Sequence, residues 1–176
     1  MSYFLIKQYS STHNAIDVNV SFLERKRIWN EEKPLFVPIE NGKEKICLPF
    51  MDCGVCVISE KVKKIFETYQ NGIVTRPIVL ANMQSKTTEI FYCIKTKELD
   101  CLGGNTVYGN GTVEEICLDT KKIGYEKVFQ IKNIPYRHIV VDLEVLEKLM
   151  RKNIIGYDVF LLKTEGSEEI WERNML

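Results

Sequence analysis

The residues best suited to chemistry are two cysteines three positions apart, Cys53 and Cys56, in the stretch MDCGVCVIS. A C-x-x-C pair can chelate zinc or cycle between dithiol and disulfide. Zinc takes four donors. Cys47 offers a third thiol, but there is no second C-x-x-C, and the only histidines, His13 and His138, have no ligand spacing. A redox pair calls for its first cysteine at a helix N-terminus, where the dipole lowers the thiol pKa. Here Val57 and Ile58 separate the pair from Ser59, the residue placed to cap the next helix. The pair therefore reads first as part of a strand, and a metal or thiol site of Cys47, Cys53 and Cys56 stands as the alternative.

No other group of residues forms a catalytic pattern. Neither histidine has a Ser, Cys or carboxylate beside it in an acid–base arrangement, and no G-x-S-x-G or P-loop is present. The run GGNTVYGNG lacks the Lys and Ser or Thr of a phosphate cradle. It reads as a flexible connection tipped by Tyr108, an aromatic of the kind that anchors interfaces. Glu31 with Glu32, Glu114 with Glu115, and Glu168 with Glu169 would make an acidic face only if several pairs converged. Tyr108, Glu31 and Glu32 are kept as candidate partner contacts. Trp29 and Trp171, each flanked by charge, read as packing residues. The expectation is a protein with no enzymatic chemistry and no cofactor.

The elements that must carry these residues follow from composition and periodicity. The chain has 176 residues, 45% hydrophobic and 27% charged, enough to bury a core without a staple. Lys plus Arg and Asp plus Glu are each 24 and interleaved, which excludes the concentrated basic face that nucleic acid requires. Six cysteines in apolar runs read as reduced core thiols. No leader or membrane span is evident, so a cytoplasmic location is expected. SYFLIKQY reads as an opening strand, while the prolines Pro34 and Pro38 restrict PLFVPI, strand-like in composition, to an edge or an irregular position. VCVISEKVKKIFETYQNG reads as a strand, a cap at Ser59, a helix bearing Val62, Ile65, Phe66 and Tyr69, and a stop at Gly72. IVTRPIVL, EIFYCIK and TVEEICLD suggest an antiparallel meander. HIVV, a cap at Asp142, a stripe of Leu146, Leu149 and Met150, Gly156 and YDVFLL then repeat the strand, helix, Gly, strand order. With Gly72 placed on Gly156, Val62 falls on Leu146, Ile65 on Leu149 and Phe66 on Met150, with the caps one residue out of register. The expected fold is α+β: a largely antiparallel sheet with two principal helices, about 60–70 and 143–153, packed against it. Residues 1–176 are read as one domain, with an irregular region at 1–50, a core at 55–163 and a tail at 164–176.

Three stretches carry a family resemblance: VISEKVKKIFETY; IFYCIKTKELDCL with VEEICLDTKKIGYEKVFQIKNI; and IVVDLEVLEKLMRKNIIGYDVFLL. Together they resemble the eleventh immunity-protein family of bacterial polymorphic toxin systems, long catalogued as a domain of unknown function. The matching features are the Ser-Glu helix start, the segment Leu99 to Leu102, the strand at Phe129, and the closing helix, Gly156 and strand. The resemblance implies a cytoplasmic protein that binds and neutralises a cognate toxin domain, with no catalytic residue to carry over. Its partner would be that protein, not nucleic acid or membrane, and the chain would be a monomer or homodimer. The alternatives are a small metal- or thiol-dependent protein using Cys53 and Cys56, and a scaffold domain that self-associates through strand edges.

Overall fold

Runs of β-branched and aromatic residues set the strands, and apolar residues at 3.6 spacing set the helices. The computed structural model describes residues 1–10, 28–30, 33–39, 47–52, 54–82, 86–109, 112–134 and 138–165. In chain order the first elements are β1 (Tyr3–Gln8), β2 (Leu35–Ile39), β3 (Phe50–Asp52), β4 (Cys56–Ser59), α1 (Glu60–Tyr69), β5 (Val74–Asn82), β6 (Thr87–Lys95) and β7 (Glu98–Leu99). After these come β8 (Val107–Gly109), β9 (Thr112–Glu115), β10 (Cys117–Leu118), α2 (Thr120–Ile123), β11 (Val128–Ile131), β12 (Ile139–Asp142), α3 (Leu143–Arg151), β13 (Tyr157–Leu161) and β14 (Lys163–Thr164).

The fold is α+β and rich in antiparallel pairing, and most strands of the described residues lie in two five-stranded sheets. The first is ordered β2-β5-β6-β4-β3 and the second β13-β1-β12-β11-β7, beside two small pairs, β8-β9 and β10-β14. Both principal helices pack in the central core. Val62, Ile65 and Phe66 of α1 and Val145, Leu146 and Leu149 of α3 share one cluster with Ile58 and Ile94 of the first sheet and Ile6, Ile139 and Val141 of the second. A second cluster lies on the outer face of the first sheet, where Val57, Ile78, Leu80, Phe91 and Cys93 meet Ile28, Val37 and Leu48. A third lies on the outer face of the second sheet and contains Tyr3, Leu5, Phe129, Val140, Leu118 and Ile123. A strand buried on both faces must be apolar at every position, as VFQI and IVVD nearly are.

The repeated order of elements is a repeat of topology. In the first unit β3, β4, α1 and β5 surround a central strand, β6; in the second β11, β12, α3 and β13 surround β1. The registers correspond: Phe50 opposes Ile58 as Val128 opposes Val141, and Ser59 opposes Phe91 as Asp142 opposes Tyr3. The two caps therefore coincide, Val62 falls on Val145 and Phe66 on Leu149, which corrects the alignment read from the sequence. Gly72 still matches Gly156, because the stretch from cap to glycine is one residue longer in the second unit. Equivalent bonds brace both caps: Ser59 N–H donates to the Pro49 carbonyl and Asp142 N–H to the Lys127 carbonyl, each at 3.0 Å.

Three further expectations change. The meander stops at two strands: β5 and β6 form the hairpin, but β4 occupies the other edge of β6, and the chain leaves to place β7 beside β11. The TVEEICLD segment divides between β9, paired with β8, and β10, paired with β14. Part of the supposed flexible run GGNTVYGNG is strand β8. The opening strand is β1, next to β13 in its sheet, and the stretch read as irregular after it supplies β2 and the first residue of β3.

Candidate partner-binding surfaces

The cysteine alternative meets a geometric obstacle. Cys47 packs against the outer cluster of the first sheet and Cys56 against the central one, so the sheet lies between them. Cys53 lies outside the described residues. Among the described residues no group of three His, Cys, Asp or Glu side chains could hold a metal ion. Burial, with Glu89 beside it, pushes the Cys47 thiol up to about 12, and burial alone does the same for Cys93. Cys101, also buried, is pushed up to about 11. Such thiols hold their protons at neutral pH and are poor nucleophiles or ligands.

The other candidates are scattered. Tyr108 sits on β8 with 62% of its surface exposed. Glu31 and Glu32 lie outside the described residues, as do Glu168, Glu169, Trp171 and His13. Glu115 pairs with Lys163 at 2.8 Å. Trp29 packs against the outer cluster of the first sheet. His138, one residue before β12, is half-buried, and burial with the Lys7 ammonium lowers its pKa against the opposing pull of Asp52. No helix among the described residues is long and apolar enough to cross a membrane.

Two surfaces stand out instead. The first is the helix-side face of the first sheet beyond the reach of α1. There Phe36 opposes Val79, and Val79 opposes Ile90, in one row across three strands. Phe36 is 64% exposed and Ile90 57%. Pro38, Pro77 and Thr88 flank the row, and no position on this face of β2, β5 and β6 is charged. The Lys63 ammonium over the Tyr92 ring, 5.1 Å from its centroid, marks where the covered part begins. Depletion of charge at the centre of an exposed patch is what distinguishes interfaces from ordinary surface. The signal was present in the sequence: IVTRPIVL and EIFYCIK have apolar residues at both odd and even positions, which a one-sided sheet does not need.

The second surface is a cleft of about 870 Å³ beside α3 and β13, lined by Tyr9, Leu48, Leu146, Met150, Ile155 and Val159. The repeat provides an internal comparison. Register places Lys63 where the second unit has Leu146, Glu67 where it has Met150, Glu126 where it has Leu48 and Thr75 where it has Val159. Lys63 and Glu67 there form an ion pair at 2.9 Å. The same framework is thus built with polar residues at these positions, and the apolar lining of the cleft is not required by the fold. The chain matches no known protein-family model, and a search of curated proteins finds no match.

Proposed function

We propose that this chain is an immunity protein that binds a cognate bacterial toxin domain in the cytoplasm and neutralises it by occlusion, with no chemistry of its own. The family-like stretches between residues 55 and 163 suggest the class. The observation that supports it best is the uncharged row of Phe36, Val79 and Ile90, exposed at Phe36 and Ile90, on a chain of which 27% is charged. An uncharged apolar sheet face suits a protein surface better than a small molecule, which calls for a concave site.

Co-expression with the product of the adjacent reading frame tests the reading. Growth is expected to be restored, with a stable complex on size exclusion. The Phe36→Asp and Ile90→Asp variants are expected to fold yet each lose about 2 kcal/mol or more of binding, roughly 30-fold in Kd. A neighbour that is not toxic, or one that forms no complex, would sink the proposal. Full protection by both variants would exclude this face as the contact.

A further inference from the structure

We infer that β13 is a homodimer interface, at which two copies pair their β13 strands antiparallel across a two-fold axis and join their second sheets edge to edge. The argument begins with the sheet edges. Exposed edges invite pairing unless they are short or interrupted. Among the described residues the two five-stranded sheets have four edge strands, of which β3 has three residues, β7 has two, and β2 carries Pro38. Of these four, β13 alone is a five-residue edge without proline, YDVFL, with its last three residues exposed.

Its free hydrogen-bonding groups follow from register. Leu162 N–H donates to the Tyr3 carbonyl at 2.9 Å, and Phe160 opposes Leu5 and Asp158 opposes Lys7 in the same phase. In an antiparallel ladder, bonded and non-bonded pairs alternate, so the N–H and C=O groups of Tyr157, Val159 and Leu161 point away from β1. No described strand takes them up.

A second copy fits these groups and the side chains around them. Pairing about Val159 sets Val159 against itself and Tyr157 against Leu161, which satisfies every outward group of both strands. Leu161, 69% exposed, projects at one end of β13, and the apolar cleft opens at the other, beside Tyr157. Antiparallel pairing brings each Leu161 toward the other copy's cleft. On the opposite face the Lys7 ammonium lies 5.0 Å from the centroid of the Phe160 ring, and the same register brings Asp158 of the second copy opposite Phe160. The Asp158 carboxylate accepts from Ser10 N–H at 3.0 Å and from its hydroxyl at 2.9 Å, both on Oδ2, which leaves Oδ1 to meet that ammonium, so charge as well as shape is self-complementary, as an isologous contact requires. The polar residues at the corresponding places of the first unit explain why only this end would pair.

Sedimentation velocity on the full chain tests the inference, and it does so independently of the toxin reading. At micromolar concentration the mass is expected to be twice the 20.5 kDa of the chain. Val159→Pro removes an N–H that β1 does not use, and Leu161→Lys alters a side chain that the monomer leaves exposed. Each is expected to weaken dimerisation at least about tenfold. Thr75→Lys, at the position of the first unit that corresponds to Val159, should leave the dimer intact. A wild-type monomer at tens of micromolar, or folded Val159→Pro and Leu161→Lys variants that stay dimeric, would overturn the inference. So would a monomer that uses β13 only to bind the adjacent reading frame's product.

Discussion

At the scale of the residue, Gln70 and Asp142 show how single polar groups link the two units. The Gln70 carboxamide oxygen accepts from Lys127 N–H at 2.8 Å, and its amide group donates to Glu126, so the end of α1 is fixed to the chain entering β11. Asp142 is buried and accepts from Val145 N–H at 2.9 Å. Burial raises its carboxyl above the usual carboxylate range, against the opposing pull of that N–H and of Lys127. A raised folded-state pKa means that the native protein holds the proton more tightly than the unfolded chain. The contribution is full below the unfolded value and is lost as the pH rises through the folded one. Asp142→Asn keeps the acceptor without the charge. Its stability relative to wild type, followed by urea denaturation, is therefore expected to improve as the pH rises from about 4 toward 7. A constant difference across that range would refute this account.

At the scale of the element, the two strand–helix–strand units differ in how their ends are made. Ser59 has the extended backbone of an N-cap but its side chain makes no capping bond, whereas the Asp142 carboxylate does. Each unit then turns on a glycine with positive φ, Gly72 at 78° and Gly156 at 91°. A side chain is strained at either position, but the surroundings differ. A Cβ at Gly72 would meet nothing within 4 Å, while one at Gly156 would lie 3.0 Å from Leu48 Cδ2 and 3.3 Å from Pro49 Cδ. Gly72→Ala is expected to lose about 1–2 kcal/mol from backbone strain alone, and Gly156→Ala more, as the cleft wall gives way. Thermal denaturation of the pair gives the order directly, and equal losses would mean that the wall yields without resistance.

At the scale of the molecule, the first unit takes its central strand from the hairpin that follows it, and the second takes its own from the start of the chain. Strand β1 brings Ile6 to the central cluster and Tyr3 and Leu5 to the outer one. Its removal would leave β12 and β13 without the strand that joins them. Deleting residues 1–8 is therefore expected to abolish the cooperative unfolding transition and the near-ultraviolet circular dichroism, well beyond the 2–5 kcal/mol of a single core truncation. A truncated chain that unfolds cooperatively would show that the second sheet closes without β1.

The local elements were legible in the residues: both principal helices and the glycines that follow them, the opening strand, and a fold class with few helices. Each of these depends on periodicity, caps or turn chemistry within about fifteen residues, so a single stretch contains its own evidence. Which strands became neighbours depends on contacts far apart in the chain, and the folded arrangement fixed it. It stopped the meander at two strands, because β4 holds the edge a third would need, and it set the registers that bring Ser59 and Asp142 into correspondence. It also placed Cys47 and Cys56 on opposite faces of a sheet, though they stand only nine positions apart. The candidate surfaces belong to this second kind. Phe36 and Ile90 are far apart in the chain, and only strand pairing brings them into one row. The apolar character of the α3 cleft has meaning only beside the polar residues that the same framework carries in its other half. The C-x-x-C motif is local, whereas the candidate surfaces arise from long-range pairing, which a short motif does not encode.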